Sequence, residues 1–297
     1  MKKGMKYKIG ILWFGLNLIF VSGITQPVKI STEKMTITID KEVNFQFQWN
    51  EENHLPIATD KAQAALVVGG ERCAFLLDEK SVMQGQQVHP EWGVSQVTTL
   101  QGRYQSKQLS IIQHFRIILP EKFPDVVLVE TSYTNEGKQR IHIDSVFNLH
   151  LTLSAEQLSA GQRDHFLASF QGGINEWGRD YALIWLKPGF EQDNFQGMHQ
   201  TVSPERIEMI GGGMPFVDIW GKEMGISIAH IEKEPQWVSL PVKVEADSTT
   251  RIGIVEVPDE SIGMEGWVEP GASFQTVLSA LIFHQLDFHD GLRQYGE

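Results

Sequence analysis

The densest grouping of chemically capable side chains in this 297-residue sequence is Glu176-Trp177-Gly178-Arg179-Asp180, with Asp164-His165 shortly before it. A tryptophan beside carboxylates and a guanidinium is the composition of a sugar site. The ring covers the apolar face of a pyranose, and the charged groups grip its hydroxyls. A plainer reading, a loop with one buried Trp and a solvated ion pair, competes with it, because eight tryptophans make such loops frequent. His284, Asp287, His289 and Asp290 are metal-capable, but their spacing fits no closed site and reads better as a solvated strand end. Gly211-Gly212-Gly213 offers backbone N–H groups to an anion, although a turn between two strands explains it equally. Gly225-Ile226-Ser227-Ile228-Ala229 approaches a nucleophile elbow but lacks the final glycine and sits in an alternating strand, so Ser227 reads as a sheet residue. There is no His-Glu-x-x-His, no cysteine pair and no phosphate-loop glycine pattern, so neither a metal nor an organic cofactor is expected. Carboxylate pairs of the kind that hydrolyse glycosides abound in so acidic a chain, and the sequence selects none of them as catalytic.

The elements that must position these groups are strands. Met35 to Asp40 and Asn44 to Trp49 alternate apolar and polar residues, which puts every second side chain into a core. Gln108–Leu119, Asp125–Thr134 and Arg140–Leu151 continue the pattern, and Asn135-Glu136-Gly137 predicts a hairpin turn between the last two. Further strands are expected at Tyr181–Leu186, Met214–Trp220, Gly225–Glu232, Gln236–Val244, Thr249–Val257 and Ser273–His284. Helical periodicity is scarce, confined to Ala155–Ala160 and to a helix beginning near Asp290. Closely spaced strands without intervening amphipathic helices predict an all-β protein, a large two-sheet antiparallel sandwich in one domain over residues 27–285.

Charge and the amino terminus narrow the partners. Acidic residues outnumber basic ones 37 to 25, for a net charge of −12, which repels a phosphate backbone and leaves no polybasic patch for a membrane surface. Residues 1–8 are basic, Ile9 to Val21 is apolar, and Val21-Ser22-Gly23 supplies small residues, the pattern of a secretory signal over residues 1–23. A bilayer span needs about 20 apolar residues, so an exported protein, periplasmic or secreted, with no membrane span after cleavage is the expectation. The lone Cys73 cannot form an internal disulfide and reads as a small buried hydrophobe.

Two longer stretches carry a resemblance. One is Gly211-Gly212-Gly213-Met214-Pro215-Phe216-Val217-Asp218-Ile219-Trp220 followed by Gly225-Ile226-Ser227-Ile228-Ala229-His230-Ile231-Glu232; the other is Phe283-His284-Gln285-Leu286-Asp287-Phe288-His289-Asp290-Gly291-Leu292-Arg293-Gln294-Tyr295. Both resemble the amino-terminal β-supersandwich, a galactose-mutarotase-like fold, of bacterial α-galactosidase-like glycoside hydrolases of family 36. The resemblance implies that residues 286–297 begin a linker helix toward a catalytic (β/α)8 barrel, in cis or in trans. It also implies that the catalytic aspartates belong to that barrel, so none is carried onto this chain. The sandwich of that family lends loop residues, typically a Trp with polar neighbours, to the rim of the sugar pocket; Trp92 and Trp177 fit that role by residue type. An α-galactoside or related oligosaccharide is the implied carbohydrate partner. Two other readings stay open: a stand-alone exported carbohydrate-binding module using Trp177, Glu176, Arg179 and Asp180, and a mutarotase-like epimerase drawing its acid and base from His199, His230 and Glu232.

Overall fold

The computed structural model describes residues 27–50, 57–58, 61–153, 167–173, 182–196, 199–202, 207–210, 213–221, 224–232, 237–259 and 264–297. Trp177, Glu176, Arg179, Asp180, the pair Asp164-His165, the stretch 155–160 and the leader lie outside the described residues.

The chain lays down two antiparallel sheets by moving back and forth between them. It begins the first sheet with β1 (Val28–Ser31), β2 (Met35–Ile39), β3 (Asn44–Trp49), β4 (Ile57–Ala58), β5 (Lys61–Val68) and β6 (Glu71–Cys73). It then builds most of the second with β7 (Leu76–His89), β8 (Gly93–Gln105), β9 (Ser110–Pro120) and β10 (Val126–Asn135). β11 (Ile141–Leu153) returns to the first sheet, β12 (Ala168–Gly173) and β13 (Ala182–Trp185) to the second, and β14 (Glu191–Gln192) to the first. A separate ribbon, β15 (His199–Val202) with β16 (Ile207–Ile210), precedes β17 (Gly213–Trp220) and β18 (Met224–His230) of the second sheet. β19 (Val238–Ser239), β20 (Val242–Val244), β21 (Thr250–Glu256) and β22 (Trp267–Val268) complete the first sheet, and β23 (Ser273–Gln275) and β24 (Ser279–Gln285) the second. A helix, α1 (Phe288–Gly296), ends the chain. The all-β sandwich expected from the alternation is what forms.

Alternation explains the core. Ile37 and Ile39 of β2, Phe45 and Phe47 of β3, Ile117 of β9, Ile226 and Ile228 of β18 and Leu281 and Phe283 of β24 belong to one buried cluster between the sheets. Cys73 joins it, and burial pushes its thiol up to about 12, so it is an inert hydrophobe. An acidic side chain sits inside among other buried polar groups: Glu256 accepts hydrogen bonds from Asn148 Nδ2 and from the Val277 N–H, and is pushed up to about 7, chiefly by burial.

Three expectations about the elements need correction. Asn135-Glu136-Gly137 does not close a hairpin, since β10 belongs to the second sheet and β11 to the first. Asn135 is instead the corner post of a crossing between sheets. Its Oδ1 accepts from the Gly137 N–H at 2.9 Å, and its Nδ2 donates to the carbonyls of Gln139 at 2.8 Å and Val268 at 3.0 Å. The segment 236–244 splits into β19 and β20 ahead of Pro241, whose ring removes a ladder donor. The segment 273–284 likewise splits into β23 and β24, which pair with different parts of the same strand, β10.

Candidate functional site

The second sheet runs β13-β12-β17-β18-β24-β10-β9-β8-β7, and its outer face carries the side chains that sequence and structure together nominate. Strand register arranges them in rows. One row is Val97, Ile118, Leu128, Ala280, Ala229 and Phe216; the next is Val126, Ile282, Ser227, Asp218, Phe170 and Leu183. The apolar members of these rows other than Leu183 form a second cluster, and α1 closes over it with Phe288, Leu292 and Tyr295, spaced three and four residues apart on one side of the helix. Asp287 fixes the helix start, its Oδ1 accepting from the His289 N–H at 3.0 Å.

Beneath this helix lie Ser227, Asp218 and His284, all fully buried. Their composition is that of a hydrolytic triad, but their connectivity is not. His284 Nε2 lies 2.8 Å from Asp218 Oδ1, and Ser227 Oγ donates to the same carboxylate oxygen at 3.1 Å. The carboxylate thus sits between the serine and the histidine, whereas nucleophile activation requires the histidine in the middle. The other histidine nitrogen, Nδ1, lies 3.1 Å from the Gln285 carbonyl. Both ring nitrogens therefore face acceptors, which is the hydrogen-bonding pattern of an imidazolium. Burial works against that charge, but the Asp218 carboxylate beside it prevails, and the His284 pKa is raised. Two glycines make the room. A Cβ on Gly225 would stand 2.3 Å from His284 Cε1, and one on Gly291 of the helix 2.5 Å from Ser227 Oγ. Ser227 is the sheet residue the alternation implied, and its hydroxyl cannot reach a substrate.

The remaining metal-capable residues at the carboxyl end have local partners. Asp287 caps α1, and Asp290 accepts from Arg293 at 2.8 Å and from the Gln285 N–H at 3.3 Å. His230 of β18 is buried, with neither ring nitrogen hydrogen-bonded among the described residues, and burial pulls its pKa down to about 4. Glu232 follows the strand at the surface and accepts from the Leu278 N–H at 2.8 Å. His230 and Glu232 therefore do not flank an open pocket, and an epimerase acid–base pair is not assembled from them.

Toward β7 the same outer face turns polar and open. The rows here are Met83, Thr99, Arg116 and Glu130, then Gln101, His114, Ser132 and Gln275. Arg116 Nη1 donates to Glu130 Oε2 at 2.5 Å, and Nη2 donates to Gln87 Oε1. Gln101 Nε2 lies 3.3 Å from His114 Nδ1, His114 Nε2 3.0 Å from Thr134 Oγ1, and that hydroxyl 2.8 Å from Ser273 Oγ. Burial lowers the His114 pKa, so its ring is neutral at pH 7. The residues of these two rows line a depression of about 350 Å³.

Trp92 stands at the tip of the β7–β8 hairpin, half-buried against the apolar cluster of the outer face. Its ring stacks on His89, with centroids 3.6 Å apart and planes inclined by 7°. On the opposite face of the hairpin Val88 and Val94 form an exposed cross-strand pair, 73% and 38% exposed. β12 and β13, which flank residues 174–181, occupy the opposite edge of the sheet from β7 and β8. Seven strand spacings separate the two pairs, roughly 33 Å measured through the sheet. Sequence reasoning nominated Trp92 by residue type and missed the strands that carry it and the whole depression. The only early signal was the alternation in Gln108–Leu119, which puts His114, Arg116 and Ile118 on one face.

No family model matches the sequence, and neither does any curated protein. Solved structures do. The α-galactosidase of Lactobacillus brevis is 15% identical, with 90% of this chain covered and a TM-score of 0.54. A family 36 α-galactosidase from Geobacillus stearothermophilus in complex with stachyose is 10% identical, with 91% covered and a TM-score of 0.56. An α-N-acetylgalactosaminidase of Bifidobacterium bifidum, in its GalNAc complex, is 14% identical, with 90% covered and a TM-score of 0.53. This chain spans 38–42% of the length of these three. At such identities the likeness is one of fold, and it is the fold that the two resembling stretches implied.

Proposed function

We infer that this chain is the exported, non-catalytic β-supersandwich portion of an α-galactosidase-like glycoside hydrolase, acting in α-galactoside degradation. It packs on a catalytic barrel in cis or in trans and shapes the mouth of that barrel's sugar pocket. The observation that carries the reading is the coverage asymmetry: some nine-tenths of this chain superposes on about two-fifths of each family 36 chain. The chemistry of the described residues supports a non-catalytic role. The one Ser, His and Asp grouping is sealed under α1 with the wrong connectivity, and His230 is enclosed in the core.

In this reading residues 27–285 are the sandwich, and 286–297 open the linker toward the barrel. Trp92 contributes an aromatic ring to the rim from the projecting hairpin. Trp177, with Glu176, Arg179 and Asp180, makes a second sugar contact. Cleavage at the barrel would be the work of two carboxylates supplied there.

The test is antibody depletion. An antibody raised against this chain, applied to the secreted and periplasmic fractions of the source cells, is expected to remove activity on p-nitrophenyl α-galactoside. The purified 297-residue chain is expected to show none. Hydrolysis by the chain alone, or undiminished activity after depletion, would overturn the reading.

A further inference from the structure

We propose that the open depression on the outer face of the second sheet is a binding site for a neutral saccharide. Trp92 is not among the residues that line it. The choice of an α-galactoside as probe rests on the reading above; the geometry of the depression does not.

The depression has walls. Between Asp78 and Met83 the pairing of β7 with β8 is interrupted by a bulge, and the Ser81 hydroxyl of that bulge accepts from the Gln101 N–H at 2.8 Å. On the far side β23 crosses onto β10, setting Gln275 beside Ser132. Between bulge and β23 the trough spans about four strand spacings, roughly 19 Å. Its volume falls at the low end of small-molecule sites.

The lining selects the ligand class. Arg116 is neutralised by Glu130, and His114 is uncharged at neutral pH, so the floor presents no net charge. A free anion would have to displace Glu130, and a cation would have to displace Arg116. What the row does offer is alternating donors and acceptors at strand-fixed positions: Gln101, His114, Arg116, Glu130, Ser132 and Gln275. A guanidinium beside a carboxylate presents a donor and an acceptor about one hydroxyl spacing apart, which matches a vicinal diol. The Met83 side chain, half-exposed at the wall, supplies an apolar surface for the C–H face of a pyranose ring. Thr99 Oγ1, between Met83 and Arg116 in the register, is buried with no hydrogen-bond partner among the described residues, so one polar atom of the lining remains unmet.

The experiment is ligand-observed NMR and calorimetric titration of the full chain with raffinose, with galacturonate as the anionic comparison. Saturable raffinose binding is expected, weakened about tenfold or more in Glu130→Gln and in Gln101→Ala. It should be unchanged within twofold in Val88→Ala, an exposed position outside the depression. Galacturonate is expected to bind no more tightly than raffinose. Both trough variants alter exposed-face side chains, and a urea midpoint checks that each is folded; two independent positions keep the test valid if one fails that check. Absence of saturable raffinose binding, binding indifferent to both trough variants, or preference for galacturonate would each overturn the proposal. The first of these, found together with successful antibody depletion of α-galactosidase activity, would remove this site and leave the hydrolase reading standing.

Discussion

The two halves of one sheet face put similar residues to different uses. Under α1, Asp218, Ser227 and His284 are sealed from water, and toward β7, Glu130, Ser132 and His114 stand at an open depression. Both sets contain an acid, a hydroxyl and an imidazole within strand register of one another. The sealed set forms an ion pair whose partners hold the helix joint, because burial without a partner is what an ionised side chain cannot sustain. The open set keeps its groups near solvent, where each is worth little to stability and is free to meet a ligand. Residue type does not separate structural from binding chemistry here; cover does.

The comparison can be broken most forcefully at Asp218. Asp218→Ala strands a buried imidazole and a buried hydroxyl, and should cost about 3–5 kcal/mol in urea unfolding. A loss below about 1 kcal/mol would mean the sealed set is not structural. Glu256, a buried acid with no cationic partner among the described residues, sharpens the point. Its folded-state pKa lies near 7 rather than 4.5, so the native state binds the extra proton and stability falls as pH rises from 4.5 through 7. Glu256→Gln should flatten that decline and raise the unfolding free energy from urea titration at pH 8 by about 1–3 kcal/mol. Gly225→Ala drives a methyl into the His284 ring and should cost about 1–3 kcal/mol, measured the same way. On the open side Arg116→Ala, whose ion pair is about one-third exposed, should change stability by less than about 1 kcal/mol.

The smallest effect separates the halves by sign. His284 is raised, so its contribution is fully present below pH 6.5 and is lost as pH climbs through its folded-state pKa. His114 is lowered, so its contribution is present above pH 6.5 and is lost as pH falls below that. Histidine Cε1 proton shifts should therefore place the two titrations on opposite sides of 6.5. Both on one side would erase the distinction.

The sandwich was legible because its core strands are buried on one face and alternate accordingly, as in β2, β3, β9 and β11. β7 was not legible. Its residues, among them Met83-Gln84-Gly85-Gln86-Gln87, line a sheet edge and are exposed on both faces, so no apolar period marks them. Asn135-Glu136-Gly137 misled for a different reason: Asn135 satisfies the backbone of a crossing between sheets with the same side-chain chemistry that closes a hairpin. The depression was invisible from spacing, since its lining comes from β7, β8, β9, β10 and β23 and meets only through register. The carboxyl-terminal His and Asp residues read as a solvated strand end, but His284 is fully buried and Asp287, His289 and Asp290 belong to α1 and its cap; the partnership of His284 with Asp218 spans 66 residues and left no local trace.

The central claim is that this sandwich works as one part of a larger hydrolase, and native mass tests it most directly. Size-resolved immunodetection of the antigen from exported fractions should place it in a species at least ~25 kDa heavier than the 33.6 kDa chain, the increment of a minimal barrel. Antigen found only at or below 33.6 kDa under native conditions would contradict the account.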